Sequence, residues 1–386
     1  MSATLLEPTD AASAAALLAD ASARGTRVVV RGHNTGAGTL APGAVELSTR
    51  QLTSGLVHYA GDLVATVPVG LTLRALNAAL AAEHQWLPLD PPHADAATIG
   101  GIVATNASGP LRHRYGNPRD LVIGIEVALT SGRVARAGGR VVKNVAGYDL
   151  SRLFCGSHGS LGLITHVTFK LAPIAPTART IVASFDSLAA AAAAAHELGT
   201  HASLTPSAIE LVAPGARLLV RFDTTDSAGL QMAHTTATLL ARLSPEVAVL
   251  DDAAHQAVWA AHQTIESAAD GLVSSLSTLP THTGAALDAV SRLALSHGLT
   301  WQATGRLALG VVRVRTIGAP ASQAAFATAI RAALMPHGGH AQFSGDVSGL
   351  AHVDARGPLG PEAQVAHAVK QRFDPAGILP YPWGTR

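Results

Sequence analysis

Three glycine-rich stretches, each beside a strand-like run, constrain the fold of this chain more than any other feature. "VVVRGHNTGAGT" sets Gly32, Gly36 and Gly38 behind Val28; "TIGGIVATNASG" holds Gly100, Gly101 and Gly109; "KNVAGYDLSRLFCGSHGSLGLIT" holds Gly147, Gly156, Gly159 and Gly162. Glycine lets the backbone approach a surface where a Cβ would clash, and successive turned amides converge on an anion. Each stretch also has a local reading. The first can be a tight structural turn and the second close helix-to-sheet packing. In the third, Asp149 can cap a short helix while Gly147 relieves the turn before it. The first stretch is neither a P-loop, because no Gly-Lys-Ser/Thr follows, nor a G-x-G-x-x-G fingerprint, because no helix pattern continues from it.

A chain of 386 residues, 48% hydrophobic and 14% charged, has apolar surface for two cores and is too rich in it for wholesale disorder. The formal net charge is +1 with basic residues dispersed, so no footprint for nucleic acid or an anionic membrane stands out. Cys155 is the single cysteine, which excludes an intrachain disulfide and any multi-cysteine metal or iron-sulfur site. Glu7, Asp10 and Asp20 near the start, without a basic leader, do not fit a secretory signal. No apolar run reaches the roughly 18 residues of a membrane span. A cytoplasmic location is expected, with any membrane association made through partner subunits.

The first half alternates strands and helices. A helix is expected from Thr9 or Asp10 to Gly25, strands at Val28–Arg31, Ala44–Leu47 and Leu63–Val67, and a helix over Thr72–His84 with Leu73, Leu76 and Leu80 inward. "LVIGIEVAL", the turn "TSG" and "RVARA" read as a hairpin, and "GLITHVTFKLAP" as a strand ended by Pro173. "APIAPTART" punctuates the chain and marks a domain boundary. Beyond it, "RTIVASF", "SLAAAAAAAHELG", "SAIELV", "ARLLVRF" and "AGLQMAHTTATLLARL" run strand-helix-strand-strand-helix, the order of a ferredoxin-like layer. A last helix is read in "PEAQVAHAVKQRF". The fold class is α+β.

Taken in order, "RGHNTG", "PPHADAATIGG", "GPLRHRYGNPRDLV" and "GGRVVKNVAGYDLSRLFCGSHGSLGLIT" resemble the FAD-binding superfamily of vanillyl-alcohol oxidase and para-cresol methylhydroxylase. Within it the chain is most similar to the FAD-binding E subunits of bacterial glycolate oxidases. The resemblance covers roughly residues 25 to 175. It implies a two-part FAD-binding domain of that type over 1–175 and a ferredoxin-like cap on the substrate side over 176–386, whose last residues can return to the first domain. It implies noncovalent FAD, with Arg31, Gly32, His33, Asn34, Thr35 and Gly36 and Thr98, Ile99, Gly100 and Gly101 around the pyrophosphate. Asn106, Ser108 and Gly109 would line the ribityl chain and flavin, Lys143 and Tyr148 would belong to the pocket wall, and main chain near Gly162 and Ile164 would reach the adenine-ribose side.

The resemblance further implies oxidation of a small 2-hydroxy acid, glycolate to glyoxylate, beside a longer FAD-binding D-type subunit and an iron-sulfur subunit. Two other roles stay open: an independent FAD-dependent alcohol or 2-hydroxyacid oxidase, and a noncatalytic FAD-binding partner. No catalytic base is legible. Arg112 and Arg114 are candidates for clamping a carboxylate or a flavin oxygen, or simply solvent-facing loop arginines. "HGGHAQFSGD" holds His337 and His340 without a carboxylate-histidine partner at ligand spacing, and the "GH.GDGN.H" stretch of the related metal-dependent dehydrogenases is absent, so no metal is expected. His33 lacks the Gly-Gly-His context of histidine-linked flavins and is expected to hydrogen-bond near the pyrophosphate.

Overall fold

The computed structural model describes residues 4–33, 43–141, 149–268, 270–345, 350, 353–357 and 360–380. Its strands are β1 (Leu5–Leu6), β2 (Val28–Arg31), β3 (Val45–Ser48), β4 (Val57–Tyr59), β5 (Val64–Pro68), β6 (Gln85–Trp86), β7 (Val122–Ala128), β8 (Val134–Gly138), β9 (Leu163–Lys170), β10 (Ala172–Pro173), β11 (Thr177–Ser184), β12 (Ala208–Ala213), β13 (Arg217–Thr224), β14 (Glu246–Val249), β15 (Leu272–Ser277), β16 (Thr300–Arg306), β17 (Val311–Ile317) and β18 (His340–Gly345). Its α-helices are α1 (Ala11–Arg24), α2 (Leu73–Leu80), α3 (Ile99–Thr105), α4 (Arg112–Tyr115), α5 (Pro118–Leu121), α6 (Leu150–Phe154), α7 (Leu188–Thr200), α8 (Asp226–Leu240), α9 (Asp252–Ser267), α10 (Thr283–Ser296), α11 (Pro320–Leu334) and α12 (Glu362–Phe373). The chain divides into two compact units, one of Met1–Gly109, Tyr115–Ile174 and Leu359–Arg386, the other of Pro110–Arg114 and Ala175–Pro358.

In the first unit, α1 begins where the sequence places it, with Asp10 accepting from the Ser13 amide at 2.7 Å, and ends at Gly25 with φ +64°. That left-handed turn suits glycine because it carries no Cβ penalty. β1, β3 and β2 form a parallel sheet, and β4-β5-β9-β7-β8 an antiparallel one that contains the expected hairpin β7–β8. α2 is shorter than its apolar spacing suggests: Ala81–Glu83 tightens into a 3-10 turn and His84 turns left-handed at φ +53°. Leu76 and Leu80 of α2, Ile99 and Ile102 of α3, and Leu163 and Phe169 of β9 bury almost completely in one core. The end of the chain joins this unit. Ile378 carbonyl accepts the Val28 amide at 2.9 Å, Phe373 carbonyl accepts the Thr130 hydroxyl at 3.0 Å, and Asp374 ties down Lys370 and the amides of Ile378 and Leu379.

The second unit repeats itself. β11-α7-β12-β13-α8-β14 and β15-α10-β16-β17-α11-β18 are two strand-helix-strand-strand-helix-strand halves, linked by α9. They share one antiparallel sheet in the order β14-β11-β13-β12-β16-β17-β15-β18. Within a half the pairing is long, eight register pairs between β11 and β13, but the halves meet through only three, Leu211↔Gly305, Val212↔Thr304 and Ala213↔Ala303. Strand alternation gives the sheet two unlike faces. Ile209, Leu211, Val220, Ala303, Val312 and Val314 join Leu198, Leu287 and Phe326 of the helices in an apolar core. The alternate positions carry Thr180, Glu210, Arg221, Asp223, Thr304, Arg306 and Arg313. The ferredoxin-like layer read from the sequence is therefore the first half of a doubled one.

Candidate cofactor site

α3 organises all three glycine-rich stretches. Thr98 caps it, accepting from the Gly101 amide at 3.2 Å, and the helix is stitched to the segment after β5 by bonds from Ile99 to Leu71 carbonyl (2.8 Å) and from Gly100 to Val69 carbonyl (2.9 Å). The first stretch reaches the same helix end. A Cβ on Gly32 would lie 2.3 Å from the Thr98 hydroxyl, and the His33 ring Nδ1 donates to Ala96 carbonyl at 3.0 Å. Arg31 and Gly32 are held from behind, through Thr49 amide to Arg31 carbonyl (2.8 Å) and Arg50 Nε to Gly32 carbonyl (3.3 Å). The third stretch closes the other end, where Gly156 and His158 amides donate to Val103 and Ala104 carbonyls at 3.0 and 2.8 Å. Gly159, at φ +73°, passes so close to Val30 that a Cβ would touch it at 3.4 Å. Segments more than a hundred residues apart in the chain thus meet around one seven-residue helix.

The glycines of this cluster divide by role. A Cβ on Gly100 would meet Val69 Cβ at 3.0 Å, one on Gly109 the Asp90 carbonyl at 1.8 Å, and one on Gly162 Val127 Cγ1 at 2.8 Å. Those three are required by packing. Gly101 is different: it is exposed, and a Cβ there has only the Thr98 hydroxyl within 4 Å, at 3.3 Å. The amides of Ile99, Gly100 and Gly101 already donate inside the protein. What the helix end offers is a bare surface for close approach. Ser157, 6% exposed, has a buried hydroxyl with no hydrogen-bond partner among the described residues, and it sits in the loop that closes α3. A bare glycine face and an orphaned buried hydroxyl in one cluster fit a group that lies flat against the backbone and accepts or donates a bond there.

The remaining expected residues fall as follows. Asn106 ends α3 in a left-handed turn, φ +52°, and its side-chain oxygen accepts the Arg119 amide at 3.1 Å. Ser108 is half-buried beside Gly109, and Ile164 is buried in β9, paired with Val127. Arg114 donates to Asp223 carbonyl at 3.0 Å within the second unit, and Arg112 shares α4 with it. Asn34, Thr35, Gly36, Lys143 and Tyr148 lie outside the described residues. Between the two arginines, burial pushes His113 below its ordinary range, and its Nδ1 is buried with no hydrogen-bond partner among the described residues. Burial also pushes the Cys155 thiol up to about 12. At about pH 8 that thiol is expected to resist dithionitrobenzoate in the native protein and to react promptly in denaturant; equal rates in the two states would contradict the packing around α6.

A second polar cluster, which the sequence reading missed, lies within the second unit. His262 Nε2 is 3.1 Å from Glu210, Arg306 Nη2 is 2.8 Å from Glu266, and Arg306 Nε is 3.4 Å from Glu210, all four side chains being buried. Burial opposes ionisation of Glu266, but Arg306, His262 and the Thr304 hydroxyl outweigh it and hold the carboxyl at about 2. The two carboxylates already have a fixed counter-cation in Arg306, so the group is an ion-pair cluster, with the ligand-type atoms of Glu210, His262 and Glu266 spent on it. Only its spacing hints at it in the sequence, since His262 and Glu266 are one helical turn apart.

Comparison with known proteins bears on the identity of the cofactor. Residues 2–138 match the family model of the FAD binding domain. The glycolate oxidase subunit GlcE of Escherichia coli (strain K12) is 41% identical over 150 residues, covering 38% of this chain and 43% of that protein. Glycolate oxidase subunit GlcD of Bacillus subtilis (strain 168) is 38% identical over 39% of this chain and 32% of its own length, and a D-lactate dehydrogenase of Archaeoglobus fulgidus 37% identical over 44% and 38%. The chain thus spans less than half the length of these relatives. A solved structure of an alkyldihydroxyacetonephosphate synthase superposes on 97% of this chain and 76% of that one with a TM-score of 0.72 at 15% identity, which shows a shared α+β fold. FAD is the cofactor of this chain's first unit. Among the described residues no helix is long and apolar enough to cross a membrane.

Proposed function

We propose that this chain, whose residues 2–138 belong to the FAD binding domain family, is the FAD-binding subunit of a glycolate-oxidising complex, an oxidoreductase acting on 2-hydroxy acids. The observation that carries the reading is the convergence of the three glycine-rich stretches on α3, together with likeness to glycolate oxidase subunits over that region. Arg31–His33 and the exposed face of Gly101 would hold the pyrophosphate end, noncovalently. Asn106 and Ser108 would line the path toward the flavin, and the Ser157 hydroxyl would bond the cofactor. When bound, FAD supplies the two-electron acceptor for oxidation of an alcohol carbon. The protein's part is to fix the geometry of α3, to shield the site from water, and to place its polar atoms. Arg112 and Arg114 are the candidates for a carboxylate contact, and Arg114 also donates to Asp223 carbonyl.

The second unit is the proposed substrate-side cap, a longer FAD-binding subunit and an iron-sulfur subunit are the proposed partners, and the proposed location is the cytoplasm, with any membrane association made through those partners. Cys155 alone cannot hold a cluster for onward electron transfer. Anaerobic mixing with glycolate, followed by flavin absorbance, tests the assignment. The chain alone is expected to bleach slowly or not at all, and quickly once both partners are added. Rapid, complete bleaching without partners would contradict the complex and favour an independent oxidase.

A further inference from the structure

The Glu210, His262, Glu266 and Arg306 cluster lies where the doubled second unit is thinnest. Glu210 belongs to β12 of the first half, Arg306 to β16 of the second, and His262 and Glu266 to the connecting helix α9. β12 and β16 are the strands that join through only three register pairs. α9 is unusual in what it buries. Its buried residues are His262 and Glu266, and none of its residues belongs to the apolar core. Farther along the helix, His255 Nδ1 and Trp259 Nε1 each lie 2.8 Å from the Thr180 hydroxyl. A helix is ordinarily held by an apolar stripe. This one is held by charge.

We propose that α9 and the cluster form a proton-locked staple across the seam, closed when His262 is imidazolium and loosened when it is neutral. Among the four side chains in direct contact the charges balance only in the first state: Glu210 and Glu266 are negative, Arg306 is positive, and the proton on His262 supplies the second positive charge, with Arg313 of β17 adding to the field on Glu266 from outside that contact set. Without it the four contacting side chains carry one excess negative charge, offset only from a distance by Arg313, which burial disfavours. The groups facing His262 are Glu210 from β12, Glu266 from its own helix, Arg306 from β16 and the Trp259 ring at 5.5 Å; Arg313 from β17 acts on Glu266. Burial favours the neutral ring, but the hydrogen bond and charge of Glu210, with Glu266, win and raise His262 above its ordinary value. Because the folded value is raised, the stabilisation is complete below the unfolded value and fades as pH climbs through the folded one.

Hydrogen–deuterium exchange on the full chain, corrected for intrinsic rates, reads the staple directly. Above the ordinary histidine value, protection of α9 amides is expected to fall as pH rises, by at most about tenfold per pH unit, and to level off once His262 has lost its proton in the folded chain, while α10 on the opposite face keeps its protection. Glu210→Gln removes one negative charge, so α9 in that variant is expected to stay protected to high pH. His262→Gln is expected to leave α9 loose at every pH. Protection of α9 that ignores pH in the wild type, or a Glu210→Gln variant as pH-sensitive as the wild type, would overturn the proposal. So would a stoichiometric divalent metal in the purified chain whose removal by chelator loosens α9, since a metal would then be doing the proton's work.

Discussion

Gly101→Val is expected to strip the chain of FAD while leaving the apoprotein folded. The new Cβ has no close neighbour except the Thr98 hydroxyl at 3.3 Å, and a helical position tolerates valine better than glycine, so the fold loses little. The same side chain would cover the bare face proposed to meet the cofactor. If the wild type holds FAD at about a thousand times its dissociation constant, losing it removes about 4 kcal/mol of stabilisation from the holoprotein and nothing from the apoprotein. Gly100→Val provides the contrast, because its Cβ meets Val69 at 3.0 Å and the apoprotein itself should weaken. Flavin fluorescence titration and apoprotein melting separate the two. Unchanged FAD affinity in Gly101→Val would mean the glycine serves only the helix.

Arg306→Ala is expected to be the most damaging single change in the second unit, costing about 3–5 kcal/mol, because it leaves two buried carboxylates facing one histidine. The loss is read as a lowered urea midpoint of that unit's transition; a cost near that of an exposed arginine would mean the cluster is wetter than its burial indicates. Acid makes a related test. Arg306 and His262 hold Glu266 at about 2, against 4.5 ordinarily, despite the burial that opposes them. A depressed carboxyl stabilises the fold above its unfolded value, so this contribution stays intact at neutral pH and fades as pH falls from about 4.5 through about 2.

How much of this was legible in the sequence follows the physics of each element. Caps declared themselves: Asp10 with Gly25, Thr98 and Asp149 bond where their side chains predict, since capping is local. Glycine content picked out the three stretches that meet around α3, but not which glycine does what. Gly109 against Asp90 carbonyl and Gly101 against open space look alike in a string, because the neighbour that decides lies far along the chain. The bonds that occupy the α3 amides were hidden for the same reason, their acceptors being the Leu71 and Val69 carbonyls. The second half of the doubled sheet escaped notice because "LVSSLS" and "TWQATGR" are rich in serine, threonine and other polar residues on one face. α9 escaped because its buried face is His262 and Glu266, which no apolar period marks.

The central claim is that the first unit is built around FAD, and the flavin content of the purified chain tests it most directly. The protein is expected to be yellow, with about one FAD per chain that acid precipitation releases into the supernatant, as noncovalent binding requires. Flavin remaining in the pellet would contradict the noncovalent reading of His33. A well-folded chain that carries no flavin, and takes up none when FAD is added, would contradict the account as a whole.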